Sequence, residues 1–324
     1  MKAAVYSHYG PPEVLHLAEV AKPVPGPEEV LIRVHATTVS VADCRCRAFR
    51  VPRSFWLPAR LSLGVWGPRR RILGAELSGE IAEVGSSVTR FAKGDRIFAA
   101  TLARFGAYAE YVALPETGPI AVMPHNMSYE EAAAVPIGAL TALRALRLVK
   151  ATQGQRVLVY GASGSVGTFA VQLAKHLGAH VTGVCSGANR ELVQSLGADA
   201  VLDYTRESFA AAGAAYDVVF VAVDQASFGD CRTALRPEGV YINVTSPFRS
   251  LEMQWAALTT GKTILTGRLP PETPDDLAQL RELVERGRLR SVIDRRYSLE
   301  EIVEAHRYVD RGHKRGNVVV TVVG

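Results

Sequence analysis

Residues 156–178, RVLVYGASGSVGTFAVQLAKHLG, constrain the fold more than any other stretch. Residues 157–160 form a short apolar run that suits a buried strand. Gly161, Gly164 and Gly167 follow at intervals of three, and Val166, Ala170, Leu173, Ala174 and Leu177 then recur at helical spacing. A strand, a glycine turn and a helix in that order make a phosphate-binding unit. The glycines let the backbone turn sharply and leave room for a pyrophosphate. Exposed N–H groups and the positive end of the helix dipole hold that anion. A tight turn without a ligand is the competing reading, and the agreement of strand, glycines and helix outweighs it.

Around this unit the chain alternates strand and helix. Strands are expected at 180–186, 200–204, 217–223, 240–244 and 263–267, with helices at 189–196 and 228–235. Right-handed crossovers then give a doubly wound parallel sheet. Residues 1–125 read differently. Val30, Ile32, Val34 and Ala36 alternate with more polar neighbours, and short runs at 80–84, 96–98 and 107–114 are separated by Gly and Pro. That pattern suits a compact barrel-like β unit. Ser128 with Glu131, and Ser298 with Glu301, have capping-box spacing ahead of helices, and 275–286 is a further helix. Residues 295–297 form a short strand. The apolar run 317–323 must be buried in a sheet and is expected to return to the first domain.

Composition narrows the class. The 324 residues, 48% of them apolar, suggest about two domains with an ample core. No apolar run approaches the length of a membrane span, and the first residues lack a signal-peptide core. No membrane partner is expected. Cys44, Cys46, Cys185 and Cys231 form neither a secreted framework nor a CxxC pair, so a reducing cytoplasm is expected. Charge is uneven. Between Cys44 and Ala75 lie Arg45, Arg47, Arg50, Arg53, Arg60, Arg69, Arg70 and Arg71 without one acid, interleaved with Phe49, Phe55, Trp56 and Trp66. Such a stretch suits nucleic acid, an anionic membrane or an acidic substrate. The preferred reading is a solvated loop whose aromatics tuck onto the core.

In NAD-binding versions of the phosphate unit an acid ends the second strand and binds the ribose hydroxyls. Here that strand ends Cys185-Ser186-Gly187-Ala188-Asn189-Arg190. Ser186 offers a hydroxyl and Arg190 a fixed cation, both suited to a 2′-phosphate. NADPH is the expected cofactor.

The whole chain resembles the medium-chain dehydrogenase/reductase superfamily, especially its zinc-free quinone oxidoreductase and zeta-crystallin branch. GPPEVL at 10–15, ATTVSVAD at 36–43, LGAELSGEIAEVG at 73–85, FGAYAEY at 105–111, VLVYGASGSVG at 157–167, SLGADAVLDY at 195–204 and HKRGNVVV at 313–320 carry the resemblance. It implies an α/β chain with a GroES-like β-rich catalytic domain, residues 1–125 and 270–324, and a Rossmann domain, residues 126–269. A substrate cleft would lie between them. It implies hydride transfer from NADPH to a carbonyl, enone or quinone, and a homodimer. It also implies cofactor contacts: Gly161, Ser163, Gly164, Ser165 and Val166 at the pyrophosphate, Ser186, Arg190 and Tyr204 at the 2′-phosphate, and Thr141, Val223 and Asn317 toward the nicotinamide half.

Departures from the pattern matter equally. Ser40 stands where zinc alcohol dehydrogenases have Cys, Ala75 stands where they have His, and the four-cysteine lobe is missing. Two lost ligands predict no catalytic zinc. Val41 replaces the Pro of the zinc-free branch, and a tyrosine common after the Asp is replaced by the Cys44–Cys46 stretch. Ser40 is the first candidate donor to a developing oxyanion, with Arg45 or Arg47 behind it. Asp43 is expected to order the loop. His35, His176 and His306 read as structural, and Tyr108 and Tyr111 as core. An NADPH-binding redox sensor or structural protein is the rival reading, and a nucleic-acid partner through the arginines ranks last.

Overall fold

Two runs of β-structure, one continuous and one interrupted, organise the chain. The computed structural model describes residues 1–52, 56–211, 213–246, 250–267 and 269–323. Arg53 and Phe55 therefore lie outside the described residues. The chain separates into one unit of residues 1–137, 273–285 and 291–324, and another of residues 138–272 and 286–290.

The first unit begins with a hairpin of β1 (Lys2–Val5) and β2 (His16–Glu19). Then come β3 (Glu29–Thr38), α1 (Val41–Ala48), α2 (Trp56–Leu63), β4 (Glu76–Val84), β5 (Arg96–Ala100), β6 (Tyr111–Pro115), β7 (Ile120–Val122) and α3 (Tyr129–Ala133). Helix α4 (Pro136–Leu148) leads into the second unit, whose elements are β8 (Arg156–Tyr160), α5 (Ser165–His176), β9 (His180–Cys185), α6 (Arg190–Ser195), β10 (Ala200–Asp203), β11 (Tyr216–Val221), α7 (Phe228–Ala234), β12 (Leu235–Asn243), α8 (Leu251–Thr259) and β13 (Thr263–Thr266). The chain then supplies α9 (Pro274–Glu285), β14 (Ile293–Ser298), α10 (Ile302–Asp310) and β15 (Asn317–Thr321) to the first unit.

In the first unit a sheet runs β14-β15-β3-β4-β5-β7, with β6 also paired to β3. The closing strand does return to the N-terminal sheet: Val319, Val320 and Thr321 of β15 pair antiparallel with Thr38, Thr37 and Ala36. Its Val318, Val319 and Val320 are fully buried, which is why so apolar a terminal run is tolerated. The second unit holds a six-stranded parallel sheet in the order β10-β9-β8-β11-β12-β13. The order reverses between β8 and β11, and ligands bind at such switch points.

Two local expectations need correction. Residues 107–114 do not form one strand. Tyr108 is fully buried, its N–H donates to Leu73 and its carbonyl accepts from Ala4, so the ladder with β3 starts only at Tyr111. The Arg-rich stretch is not one solvated loop either, since it contains α1 and α2. Helix α1 starts at a capping box of Ser40 and Asp43 and stops at Phe49, whose φ of 50° is left-handed.

Candidate functional site

The switch point of the second unit is built by glycine. Gly161 ends β8 with φ at 82°, a conformation costly for any side chain, and a Cβ there would sit 2.8 Å from Cγ1 of Val223. Gly167 lies against the same turn: a Cβ on it would meet the Gly161 carbonyl at 2.1 Å. Gly164 caps α5 without a side-chain hydrogen bond to the first turn. The first N–H groups of α5 thus meet a bare glycine turn, with Ser163, Ser165 and Val166 only half-buried around it. This cradle fits a pyrophosphate. In α4, a Cβ on Gly138 would touch Ser165 Oγ at 2.8 Å, and Thr141 lies one turn further along that helix.

The turn after β9 borders the turn after β8. Asn189 Nδ2 donates to Ser163 Oγ at 3.1 Å and to Ser186 Oγ at 3.3 Å, tying the two loops together. A groove of about 520 Å³ beside them is lined by Ser186, Arg190, Asp203, Arg206 and Glu207 among others. Two acids, Asp203 and Glu207, line it, and Asp203 is already occupied. Hydrogen bonds from the Thr205 hydroxyl and N–H, and from the Gly187 N–H, hold its carboxyl below the usual carboxylate range. Arg190 is exposed, with Glu207 at 3.8 Å, and Tyr204 is about half exposed beside Tyr160.

The first unit holds a different kind of site. Asp43 is fully buried, which pushes its carboxyl upward even though it accepts hydrogen bonds from Ser40 and Gly74. Ser40 Oγ donates to Asp43 Oδ2 at 2.5 Å and accepts from the Asp43 N–H at 3.2 Å. The hydroxyl expected to meet an oxyanion therefore spends its only proton on Asp43. Arg45 is half-buried on α1. Arg47 is fully buried and bridges α1 to α10: it reaches Asp310 Oδ2 at 2.6 Å, Nδ1 of His306 at 3.1 Å and the Gly10 carbonyl at 3.1 Å. Burial, then Arg47, lower the His306 imidazole to about 3, so it stays neutral. Cys44 lies 3.4 Å from the same Nδ1, and burial raises its thiol far above the reactive range. This cluster is structural, as expected of His306. Tyr108 is buried core, whereas Tyr111 is half-buried under the Lys22 ammonium, 4.3 Å from its ring centroid. Asn317 is buried at the start of β15 and donates to the Val292 carbonyl at 3.2 Å.

Glu76 is the residue that sequence reading passed over. It opens β4 at 2% exposure, accepts hydrogen bonds from Thr38 Oγ1 and from the Ile137 N–H at 2.7 Å, and burial raises its carboxyl to about 7. Burial also lowers the Lys314 ammonium to about 8, against the pull of Glu76 and Asp294. The signal available was the Gly74-Ala75-Glu76 motif, whose acid survives where its histidine does not. Asn189 was likewise visible only as a helix start.

Comparison with known proteins places the chain. Residues 26–125 match a family model described as the alcohol dehydrogenase GroES-like domain, and residues 196–320 one described as zinc-binding dehydrogenase. A chloroplastic quinone-oxidoreductase homologue of Spinacia oleracea is 32% identical, over 99% of this chain and 98% of its own. A chloroplastic NADPH-dependent alkenal/one oxidoreductase of Arabidopsis thaliana is 29% identical, over 99% and 79%. The solved quinone oxidoreductase of Coxiella burnetii superposes with a TM-score of 0.89 at 29% identity, over 100% and 99%. The zinc of the second model's name does not fit this donor set. Ala75 has no donor atom, Ser40 is bonded to Asp43, and the described residues contain no cluster of three His, Cys, Asp or Glu suited to a metal.

Proposed function

This chain belongs to the medium-chain dehydrogenase/reductase superfamily, in its quinone oxidoreductase branch, and we propose that it transfers a hydride from NADPH to a quinone, enone or related carbonyl. The names of the relatives support that substrate class. Bound NADPH supplies the hydride. The turn from Gly161 to Val166 and the start of α5 hold its pyrophosphate, Thr141 and Val223 flank its nicotinamide half, and Ser186, Asn189, Arg190 and Tyr204 surround its 2′-phosphate. In the catalytic unit Asp43 holds the Ser40 hydroxyl, and the reaction takes up one proton with each hydride.

One observation carries the choice of NADPH. A hydroxyl, an amide and a guanidinium stand at the end of β9, and the neighbouring Asp203 is bound to Thr205 and Gly187. Titration with both cofactors tests it. NADPH should bind at least ten-fold tighter than NADH, since charge-assisted hydrogen bonds contribute about 1.5–3 kcal/mol. Arg190→Ala should remove most of that margin and leave NADH unchanged. Equal affinities would sink the assignment. Tight NADPH binding with no oxidation across quinones and enones would favour the sensor reading. Turnover that Ser40→Ala leaves unaltered removes that hydroxyl from the chemistry.

A homodimer in a reducing compartment belongs to the same reading. Edge strand β13 with the exposed Leu251, Trp255 and Leu258 of α8 supports the first, and four free thiols support the second. Sedimentation velocity checks the stoichiometry.

A further inference from the structure

We propose that α2 and the loop after it, residues 56–71, form a peripheral docking surface for an anionic lipid membrane. The sequence favoured aromatics tucked onto the core here, and the structure divides them. Arg60 is stacked among Tyr9, Phe49 and Trp56, with its guanidinium 5.0, 4.2 and 5.3 Å from the three ring centroids. That cluster anchors α2. Its outer side is apolar and bare. Leu57 and Leu61, one turn apart, are 62% and 57% exposed, Val65 is 47% exposed, and Trp66 is fully exposed.

The loop is built rather than slack. Gly64 turns at φ 131°, Tyr9 OH donates to its carbonyl at 3.3 Å, the Arg69 N–H donates to Leu63 at 2.8 Å, and the Tyr6 N–H donates to Arg71 at 3.0 Å. A groove of about 530 Å³ is lined by Ser7, residues 64–68, Arg69 and Arg71. Arg69, Arg70 and Arg71 are exposed, and among the described residues none of the three has a carboxylate partner. The sequence from 44 to 75 offers no acid.

Charge and apolar surface together select the occupant. Exposed leucine, valine and tryptophan beside arginine suit the headgroup and acyl boundary, where the apolar groups leave water and the cations meet lipid phosphate. A nucleic acid would use the arginines but leave Leu57, Leu61 and Val65 in water. A second copy docked through this face would set three unpaired arginines against three more. The groove lined by Arg69 and Arg71 sets two cations beside the exposed apolar side chains. The surface lies on the membrane and does not span it: no described helix is long and apolar enough to cross one.

Co-sedimentation of the full chain with vesicles tests this. Binding is expected to phosphatidylcholine vesicles containing phosphatidylserine, and not to phosphatidylcholine alone. One arginine near such a surface is worth roughly a five-fold gain in partition. The R69A/R70A/R71A variant should therefore lose on the order of a hundred-fold. The triple lysine variant should retain binding, and W66S should weaken what remains at high salt. An unchanged melting temperature shows that each variant is folded. The proposal is overturned by no binding to either vesicle, by equal binding to both, by a triple alanine variant that binds like the parent, or by salt-sensitive retention on DNA without vesicle binding.

Discussion

The two units build their polar centres in different ways. In the second unit the turn after β8 is built of backbone: glycines at fixed spacing, a helix start, and loops joined by Asn189. In the first unit the polar centres are buried side chains drawn from distant segments. Arg47 bonds across more than 250 residues of chain to His306 and Asp310. Glu76 draws its partners from β3 and from the start of α4. A backbone cradle tolerates no added carbon but has little charge to titrate. A buried ionic network tolerates shape changes poorly and responds to pH.

The largest effect should come from cutting that network. Arg47→Met strips the Gly10 carbonyl of its donor and leaves Asp310 with only the exposed Arg50 at 3.2 Å, and losing one partner of a buried pair costs about 3–5 kcal/mol. The melting temperature should fall by many degrees, and the second unit's NADPH affinity should change far less. Equal losses in both would erase the distinction.

Next in size is the pH response of Glu76. Its carboxyl rises from 4.5 to about 7 on folding, so the folded state holds the extra proton. Stability from this group is full below pH 4.5 and is lost as pH climbs toward 7, by roughly 3 kcal/mol in total. His306 has the opposite sign. Its imidazole falls from 6.5 to about 3, so its contribution is present above pH 6.5 and fades as pH drops toward 3. Denaturant midpoints between pH 5 and 8 for the parent and for Glu76→Gln should therefore diverge. The parent loses stability on the alkaline side relative to the variant. Parallel curves would show that Glu76 does not titrate there.

A smaller loss is expected in the second unit. Gly167→Ala would drive a methyl into the Gly161 carbonyl, at 2.1 Å before relaxation. Overpacking of this kind costs about 1–3 kcal/mol. Calorimetry should show it as weaker NADPH binding with no shift in pH dependence. A variant that binds like the parent would mean that the turn is looser than its glycines imply.

Legibility in the sequence follows the same division. The strand, turn and helix at 156–178 were readable because each element is local and glycine announces the close approach. The return of β15 was readable because five consecutive residues, Val318 to Val322, include one polar side chain only. Helix α1 was missed although its capping box was in view, because arginines and cysteines mask its periodicity. Its buried Arg47 resembles its solvated neighbours until α10 arrives beside it.

Motif resemblance pointed to the family, and local spacing to the parallel sheet and to the glycine turn after β8, since these rest on residues close in the chain. Packing assigned the rest. It made Glu76 a buried acid, committed the Ser40 proton to Asp43, hid Arg47 and left Arg69 to Arg71 in solvent. Burial and hydrogen-bond partners belong to the folded neighbourhood, and identical side chains acquire different chemistry according to which distant segment reaches them.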